Sequence, residues 1–255
     1  MPIKMPFDRI LNLFLPAACL VCRRPLQLPG LCLRCRPPHP APDEARCFKC
    51  HTSTFDLDAT GHCAPCRAYP LVFGRMTYLW DYSGNVRDMI ATMKYQPSLK
   101  LCHLAGSYMA GQFQTWREAG HYDLIIPLPS SPGSFFRRTF NQCLPLAESL
   151  RPHCGSLCHL ALGALIHHGS KKPQASLEHE KRFGNVKKSF SAKHPLVNDR
   201  NILLVDDVIT TGATCTAAAL ALYRAGAANV DIIALARAGI WPQYRHKIHQ
   251  TLRLS

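Results

Sequence analysis

The chain has 255 residues, of which 47% are hydrophobic and 18% charged; this excludes a generally disordered protein and suits one medium domain joined to a smaller one. The formal net charge of +14 favours an anionic partner, either a phosphorylated metabolite or a nucleic acid. No apolar run approaches the roughly 20 residues of a membrane-spanning helix, so we expect no membrane span.

The N-terminal segment contains a short apolar stretch, 11–21, that faintly resembles a secretion signal. Asp8 and Arg9 stand where a signal needs uninterrupted apolar residues, and Pro16 breaks the run. We therefore predict a short amphipathic helix over 7–15 and a cytoplasmic protein.

Eight of the 13 cysteines form four Cys-x-x-Cys pairs, and all eight lie before residue 67. One such pair places two sulfurs on one side of a turn, and two pairs complete a tetrahedral zinc site. We expect two structural four-cysteine zinc sites formed by sequential pairing, although interleaved pairing also satisfies the spacing. A redox motif would need a βαβ context that this segment lacks. The first site would use Cys19, Cys22, Cys32 and Cys35, and the second Cys47, Cys50, Cys63 and Cys66.

The remaining metal-ligand residue types do not form a further site by spacing. Each four-thiolate zinc site carries a net charge of −2, so two sites lower the formal +14 to +10 and leave a basic protein. His51 and His62 adjoin ligands and could replace one, but we expect solvated surface histidines. The other five cysteines are expected to be small buried side chains: Cys102, Cys143, Cys154, Cys158 and Cys215.

The residue pattern of the chain changes near residue 70, where periodic apolar patterns begin. Strands alternate with helices, which predicts an α/β fold with a parallel sheet flanked by helices. We predict a zinc-ribbon module over 1–68, the main domain over 69–240 and a basic tail over 241–255. The predicted strands are 72–80, 124–126, 160–166, 201–205 and 230–236, the helices 84–94, 99–116, 140–150 and 213–225, and a mobile loop covers 167–182.

The strongest functional pattern follows the fourth of these strands. Apolar residues lead directly into Asp206 and Asp207, then into a loop of small hydroxyl residues and a helix from Ala213. The helix start offers unpaired N–H groups and the positive end of its dipole, which suit a 5′-phosphate. The two carboxylates can accept hydrogen bonds from ribose hydroxyls. The alternative is an acidic turn with a threonine that caps the helix.

This segment resembles the 5-phosphoribosyl-1-pyrophosphate (PRPP) motif of type I phosphoribosyltransferases. Together with the cysteine pairs, further strings are similar to the ComF family of competence-associated proteins, also called the GntX group. These strings are 123–129, Arg137-Arg138, Phe140-Asn141-Gln142, Lys94-Tyr95, and Gln174-Ala175-x-Leu177 followed by Arg182 and Asn185.

The resemblance covers residues 16 to about 237 and implies a double zinc ribbon joined to a phosphoribosyltransferase-like domain. It implies binding of PRPP with Mg²⁺ and a role in natural transformation, meaning the handling of incoming single-stranded DNA. Other competence proteins, such as a helicase or a DNA-processing factor, are then expected partners. The chain differs from the family at Ser134, Thr139 and Lys171, where the family usually has Arg, Gly and Thr.

Site residues follow from the motif and from the charge of the leaving pyrophosphate, whose departure needs cations, donors or Mg²⁺. Asp206 and Asp207 are predicted on the ribose hydroxyls and, with Lys172 and Arg182, as catalytic residues. The residues predicted around the sugar phosphate also include Val208, Ile209, Thr210, Thr211, Gly212, Ala213 and Thr214, and those of the pyrophosphate region are Pro127, Leu128, Pro129, Arg137, Arg138 and Lys171.

Two functions remain open at this point. The first is transfer of the phosphoribosyl group to an acceptor that the sequence does not identify. The second is a non-catalytic zinc-ribbon adaptor that binds single-stranded DNA or a partner and whose PRPP site is regulatory or vestigial. The three departures from the family pattern lie near the expected pyrophosphate position, and they favour the second function.

Overall fold

In the computed structural model, the described residues are 17–39, 46–54, 56–68, 71–96, 98–116, 121–133, 140–169, 189–210 and 212–238. The predicted helix over 7–15, most of the predicted loop over 167–182 and the basic tail lie outside them. Among the helices of these ranges, none is long and apolar enough to cross a membrane.

A five-stranded sheet forms the centre of the molecule, and its strand pairs are all parallel, which confirms the predicted sheet. Apolar runs without alternation form its central strands, because a parallel sheet is buried on both faces. Its members are β1 (Met76–Asp81), β2 (Leu124–Pro127), β3 (His159–Leu160), β6 (Asn201–Ile209) and β7 (Asn229–Arg237), in the spatial order β1-β7-β6-β2-β3.

Helices cover both faces of this sheet. One face carries α2 (Gly84–Tyr95), α3 (Leu99–Trp116) and α4 (Cys143–Leu150), whose apolar residues share a core with Leu203 and Val205 of β6. The opposite face carries α6 (Ala213–Arg224), which packs through small side chains against Ile202 and Leu204. Short elements complete the described chain: α1 (Ala64–Ala68), a 3-10 helix (Arg151–His153), α5 (His194–Val197), and the antiparallel pair of β4 (Leu165–His167) and β5 (Phe190–Ala192).

The predicted strand over 160–166 is wrong. β3 ends at Leu160 and joins the main sheet, whereas β4 begins at Leu165 and pairs with β5. A turn separates the two strands, and Gly163 has the left-handed φ of 72° that this turn requires. The apolar pattern predicted extended backbone correctly but could not indicate that the chain changes sheets.

Two further predicted boundaries that concern the functional site need correction. β6 does not end at residue 205 but continues to Ile209, because β7 pairs with it up to Arg237. Asp206 and Asp207 therefore lie inside the strand. The helix predicted over 140–150 begins at Cys143, whose N–H donates to the Asn141 side chain.

The cysteine-rich segment packs against β1, the edge strand of the sheet. The N–H of Met76 donates to the carbonyl of Lys49 at 2.8 Å, and Trp80 Nε1 donates to the carbonyl of Pro38 at 2.9 Å. The His51 ring bonds the Thr77 hydroxyl. This segment thereby covers an edge that would otherwise present unpaired backbone groups.

Candidate phosphoribosyl site and four-cysteine clusters

The candidate site is a hollow where β2 and β6 diverge. The last pair between these strands joins Pro127 to Val205, and β6 continues beyond it with β7 on one side only. The hollow has a volume of about 190 Å³. Its lining combines carboxylates, an ammonium group and hydroxyls: Lys94, Leu128, Pro129, Ser130, Ser131, Gln142, Cys143, His167, Asp206, Asp207 and Thr214.

Side chains alternate along a strand, so Asp206 lies on the same side of β6 as Leu204, which is the side that α6 covers. Its carboxyl accepts a hydrogen bond from the N–H of Asp207 at 2.8 Å and contacts the thiol of Cys215 at 3.5 Å. Burial raises the pKa of Asp206 to about 7, and the neighbouring charge of Asp207 adds to this effect. Near neutral pH this carboxyl can therefore exchange a proton.

Asp207 lies on the opposite side of β6, under α2 and α4. Its Oδ2 accepts hydrogen bonds from Lys94 Nζ at 3.0 Å and Gln142 Nε2 at 2.5 Å. Burial lowers the pKa of Lys94, but the Asp207 carboxylate outweighs burial and leaves that pKa raised. The Lys94 ammonium is therefore held in its charged form beside Asp207.

Gln142 adds an acceptor that sequence reasoning had not assigned to the site. Its side chain is 4% exposed, and its Oε1 has no hydrogen-bond partner among the described residues. A buried acceptor without a partner costs about 1–3 kcal/mol, so a ligand hydroxyl at this position would be stabilised. In the sequence, Lys94-Tyr95 and Phe140-Asn141-Gln142 supported only the resemblance to the family. The fold then placed Lys94 and Gln142 beside Asp207 and so gave them a role in the site.

The loop after β6 leads into α6, at the place where the sequence predicts a phosphate cradle. Gly212 has a φ of 72° and precedes α6, and the first turn of this helix contains no acidic residue. Thr210 and Thr214 are exposed, whereas the Ile209 side chain is buried and leaves only its backbone for a ligand. Val208 packs against the core and Ala213 opens the helix, while Thr211 lies outside the described residues.

The predicted pyrophosphate region is described only in part. Pro127 ends β2, Leu128 is buried, and Pro129 lines the hollow. His167 Nδ1 lies 3.2 Å from the carbonyl of Pro129, and burial lowers the pKa of this imidazole, so the neutral ring donates there. The predicted cations, Arg137, Arg138, Lys171, Lys172 and Arg182, lie outside the described residues.

The eight paired cysteines form two clusters, and sequential pairing is confirmed. Within each cluster the sulfur atoms lie within 4.8 Å of one another. A tetrahedral zinc with Zn–S bonds of about 2.3 Å places its sulfurs roughly 3.8 Å apart. The sulfurs of Cys47 and Cys66 are 3.4 Å apart, those of Cys50 and Cys63 3.6 Å, and those of Cys22 and Cys32 3.7 Å. Both clusters therefore fit a structural zinc ion.

The environment of Cys47 favours a ligating thiolate. Side-chain hydrogen bonds with Cys50 and Cys66 lower the pKa of the Cys47 thiol, and the N–H of Cys63 donates to its sulfur. This second cluster belongs to the core beneath β1, whereas the first cluster packs with partly buried side chains such as Val21 and Leu31.

The five other cysteines are buried, as predicted, and within the described ranges they belong to no further cluster of metal-ligand residues. The expectation for His51 is wrong. It is 7% exposed rather than solvated, because its ring packs between Thr77 and Tyr78. His62 is half-buried and bonds the hydroxyl of Thr60.

Removing the charge at Asp206 is expected to stabilise the protein above pH 7. The folded pKa of about 7 exceeds the ordinary value of 3.8, so the folded state holds this proton more tightly than the unfolded state. Its contribution to stability is therefore present at low pH and is lost as the pH rises towards 7. Urea unfolding should show that the gain of Asp206→Asn over the wild type is roughly 3 kcal/mol larger at pH 8 than at pH 5, because two pH units of this interval lie below the folded pKa of about 7. Asp88→Asn, on an exposed surface, should gain nothing; an equal Asp206→Asn gain at both pH values would contradict the assignment.

Comparison with known proteins gives consistent results. Residues 158–247 match the family model described as "Phosphoribosyl transferase domain". The "DNA utilization protein YhgH" of Escherichia coli O6:H1 is 30% identical over 236 residues, covering 88% of this chain and 99% of that protein. The "Competence protein ComFC" of Bacillus subtilis is 25% identical over 218 residues, with coverages of 77% and 85%, and that of Streptococcus pneumoniae is 24% identical over 159 residues, with coverages of 62% and 66%.

The parallel sheet, its loop at the carboxyl edge and the two cysteine clusters define a type I phosphoribosyltransferase-like domain with an N-terminal zinc-ribbon module. The chain belongs to the ComF family, which includes the YhgH and ComFC proteins.

Proposed function

We propose that the hollow beside Asp206 and Asp207 binds the ribose 5-phosphate portion of PRPP. The observation that carries this proposal is the convergence of two buried carboxylates and the unpartnered Gln142 Oε1 on a hollow at the start of α6. These are acceptors for the two ribose hydroxyls, while the helix start and the threonine hydroxyls are donors for the 5′-phosphate.

The volume of about 190 Å³ suits the ribose 5-phosphate portion of PRPP rather than the whole molecule, because pockets that hold whole small molecules usually span about 300–1,000 Å³. The pyrophosphate would extend past Pro129 and Ser130 towards Arg137, Arg138 and Lys171. Oxygen donors suit Mg²⁺, and Asp206, Asp207 and the ligand phosphates would hold it; there it would neutralise charge on the leaving group. The positive charges of Lys172 and Arg182 would stabilise the pyrophosphate as it leaves.

Calorimetric titration of the zinc-loaded protein with PRPP and Mg²⁺ tests the binding. We expect one saturable site per chain, and a folded protein that takes up no PRPP would exclude the proposal. Turnover is tested separately, by following pyrophosphate release with candidate acceptors. Binding without release under any acceptor would favour the non-catalytic alternative, in which the site regulates another activity.

We further propose a role in natural competence, in the handling of incoming single-stranded DNA in the cytoplasm. The names of the YhgH and ComFC relatives support this role. So does the net charge, which is +14 and would be +10 with zinc in both clusters. We assign residues 1–68 to the zinc ribbon, 69–240 to the phosphoribosyltransferase-like domain and 241–255 to a basic tail; a helicase or DNA-processing factor is the expected protein partner.

Binding to a fluorescent oligo-dT, measured by anisotropy across a salt series, tests this role. We expect affinity to fall steeply as salt rises, because the contacts would be made to backbone phosphates. No affinity at the lowest salt would remove DNA from the proposal. The double variant Asp206→Asn with Asp207→Asn separates DNA binding from PRPP binding. If DNA binding does not need the PRPP site, the variant should keep its affinity for DNA and lose its affinity for PRPP.

A further inference from the structure

A second and larger cavity lies where the zinc-ribbon module meets the carboxyl ends of β1 and β7. Its volume is about 780 Å³, and its lining is distinct from that of the hollow at Asp206. The lining residues that carry the argument are Arg46, Tyr78, Asp81, Ser83, Gly84 and Arg237.

Arg237 presents a buried positive charge to this cavity. Its side chain is 5% exposed, and its Nη1 donates to the hydroxyls of Thr52 at 2.5 Å and Tyr78 at 3.4 Å. Its Nε has no hydrogen-bond partner in the part of the chain that the structure describes. Within the described ranges no carboxylate oxygen lies within 4.0 Å of its guanidinium nitrogens.

The available contacts do not balance the cost of burying this charge. The guanidinium carbon lies 5.3 Å from the centre of the Tyr78 ring, and such a cation–π interaction stabilises the charge only in part. Burying a cation without a neighbouring anion costs more free energy than this contact returns. An anion in the cavity would remove most of this penalty.

The start of α2 independently favours an anion at the same place. Ser83 makes no side-chain cap, and the first turn of the helix contains no acidic residue. The N–H groups of Gly84 and Asn85 have no acceptor among the described residues, while those of Val86 and Arg87 reach the Ser83 carbonyl. These groups and the helix dipole are oriented for negative charge.

Arg46 adds a second guanidinium to the lining. Burial raises the pKa of Tyr78, and the charges of Arg237 and Arg46 oppose that rise. Arg237 Nη1 lies 3.4 Å from the Tyr78 hydroxyl, and Arg46 lines the same cavity. Asp81 is the one acidic side chain among the described lining residues. It would repel a second phosphate but accept a hydrogen bond from a ligand hydroxyl.

We propose that this cavity binds a small phosphate ester, with its phosphate between Arg237, Arg46 and the start of α2 and a hydroxyl towards Asp81. The volume suits a small molecule larger than inorganic phosphate. Arg237 pairs in register with Ile209, directly before the loop that begins at Thr210, so both sites share one edge of the sheet. The inference does not depend on PRPP binding in the other site.

Crystals of the zinc-loaded full chain soaked in tungstate, which mimics phosphate and scatters anomalously, test the location. We expect an anomalous peak within hydrogen-bond distance of the Arg237 guanidinium. Calorimetry with thymidine 5′-monophosphate tests affinity: Arg237→Gln should weaken binding at least tenfold, and Arg87→Gln, on an exposed position of the same helix, should not. Tungstate bound only at the loop 210–214 would overturn the proposal.

A second variant keeps the test valid if Arg237→Gln fails to fold. Ser83→Asp introduces a good helix cap, which favours folding, but places a carboxylate at the proposed phosphate position. We expect a stable protein with at least tenfold weaker binding of thymidine 5′-monophosphate and unchanged PRPP binding. Wild-type affinity in Ser83→Asp would also overturn the proposal, whereas loss of binding in Asp206→Asn alone would assign the ligand to the other site.

Discussion

Replacing Cys47 with serine is expected to lower the free energy of unfolding by roughly 5 kcal/mol, enough to unfold many domains at 37 °C. Cys47 is 1% exposed and belongs to the main core with Phe73 and Met76 of the sheet domain. Structural zinc contributes about 10–16 kcal/mol in small zinc-binding peptides, and a serine hydroxyl is a poor fourth ligand. Because this cluster packs beneath β1, losing its metal should loosen the edge of the sheet as well.

The matched comparison is Cys22→Ser in the first cluster. Cys22 is exposed, and its cluster packs with partly buried side chains, so we expect a smaller loss, about 2 kcal/mol. Cys102→Ser controls for a buried cysteine outside both clusters. Urea unfolding should be measured together with zinc content, which we expect to be two ions per chain in the wild type. Equal stability of Cys47→Ser and wild type, or no zinc in folded wild type, would contradict the structural role.

The variant Asp207→Asn is expected to weaken PRPP binding at least about 100-fold, which corresponds to about 3 kcal/mol. The substitution removes an anionic acceptor from the ribose position and frees Lys94 and Gln142 from the positions that Asp207 holds. It also leaves the Lys94 ammonium, which is 19% exposed, without its carboxylate. We therefore expect a loss of stability of roughly 3 kcal/mol as a second effect.

Two further variants separate binding from folding. Asp88→Asn lies on the same helix as Lys94 but has an exposed side chain, and it should bind PRPP like the wild type. Thr214→Glu places a negative charge in the first turn of α6, which stabilises the helix but repels a 5′-phosphate. Calorimetry on folded protein should therefore show weak binding in both Asp207→Asn and Thr214→Glu. Wild-type affinity in either variant would refute the proposed position of the ligand.

Local patterns predicted the features that depend on neighbouring residues. The spacing of the cysteine pairs predicted two four-ligand clusters, because a Cys-x-x-Cys turn brings its own sulfurs together, but the structure decided which pairs combine. Small residues and a glycine before α6 indicated a tight turn for the same reason, and Gly212 has a left-handed φ of 72° there. The boundaries of β6 and the split between β3 and β4 were missed, since strand ends depend on a partner strand that is distant in sequence.

By itself, then, the sequence determined a parallel α/β domain, two groups of paired cysteines and a pair of acids before a loop of small hydroxyl residues. Only the tertiary structure decided that β6 extends through Asp206 and Asp207, so that they point to opposite sides, and that Gln142, 65 residues away, bonds one of them. It also placed Arg237 against Thr52, 185 residues earlier in the chain. Such contacts form when the strands assemble into the sheet and the N-terminal module covers its edge. Local periodicity does not predict which distant side chains then meet.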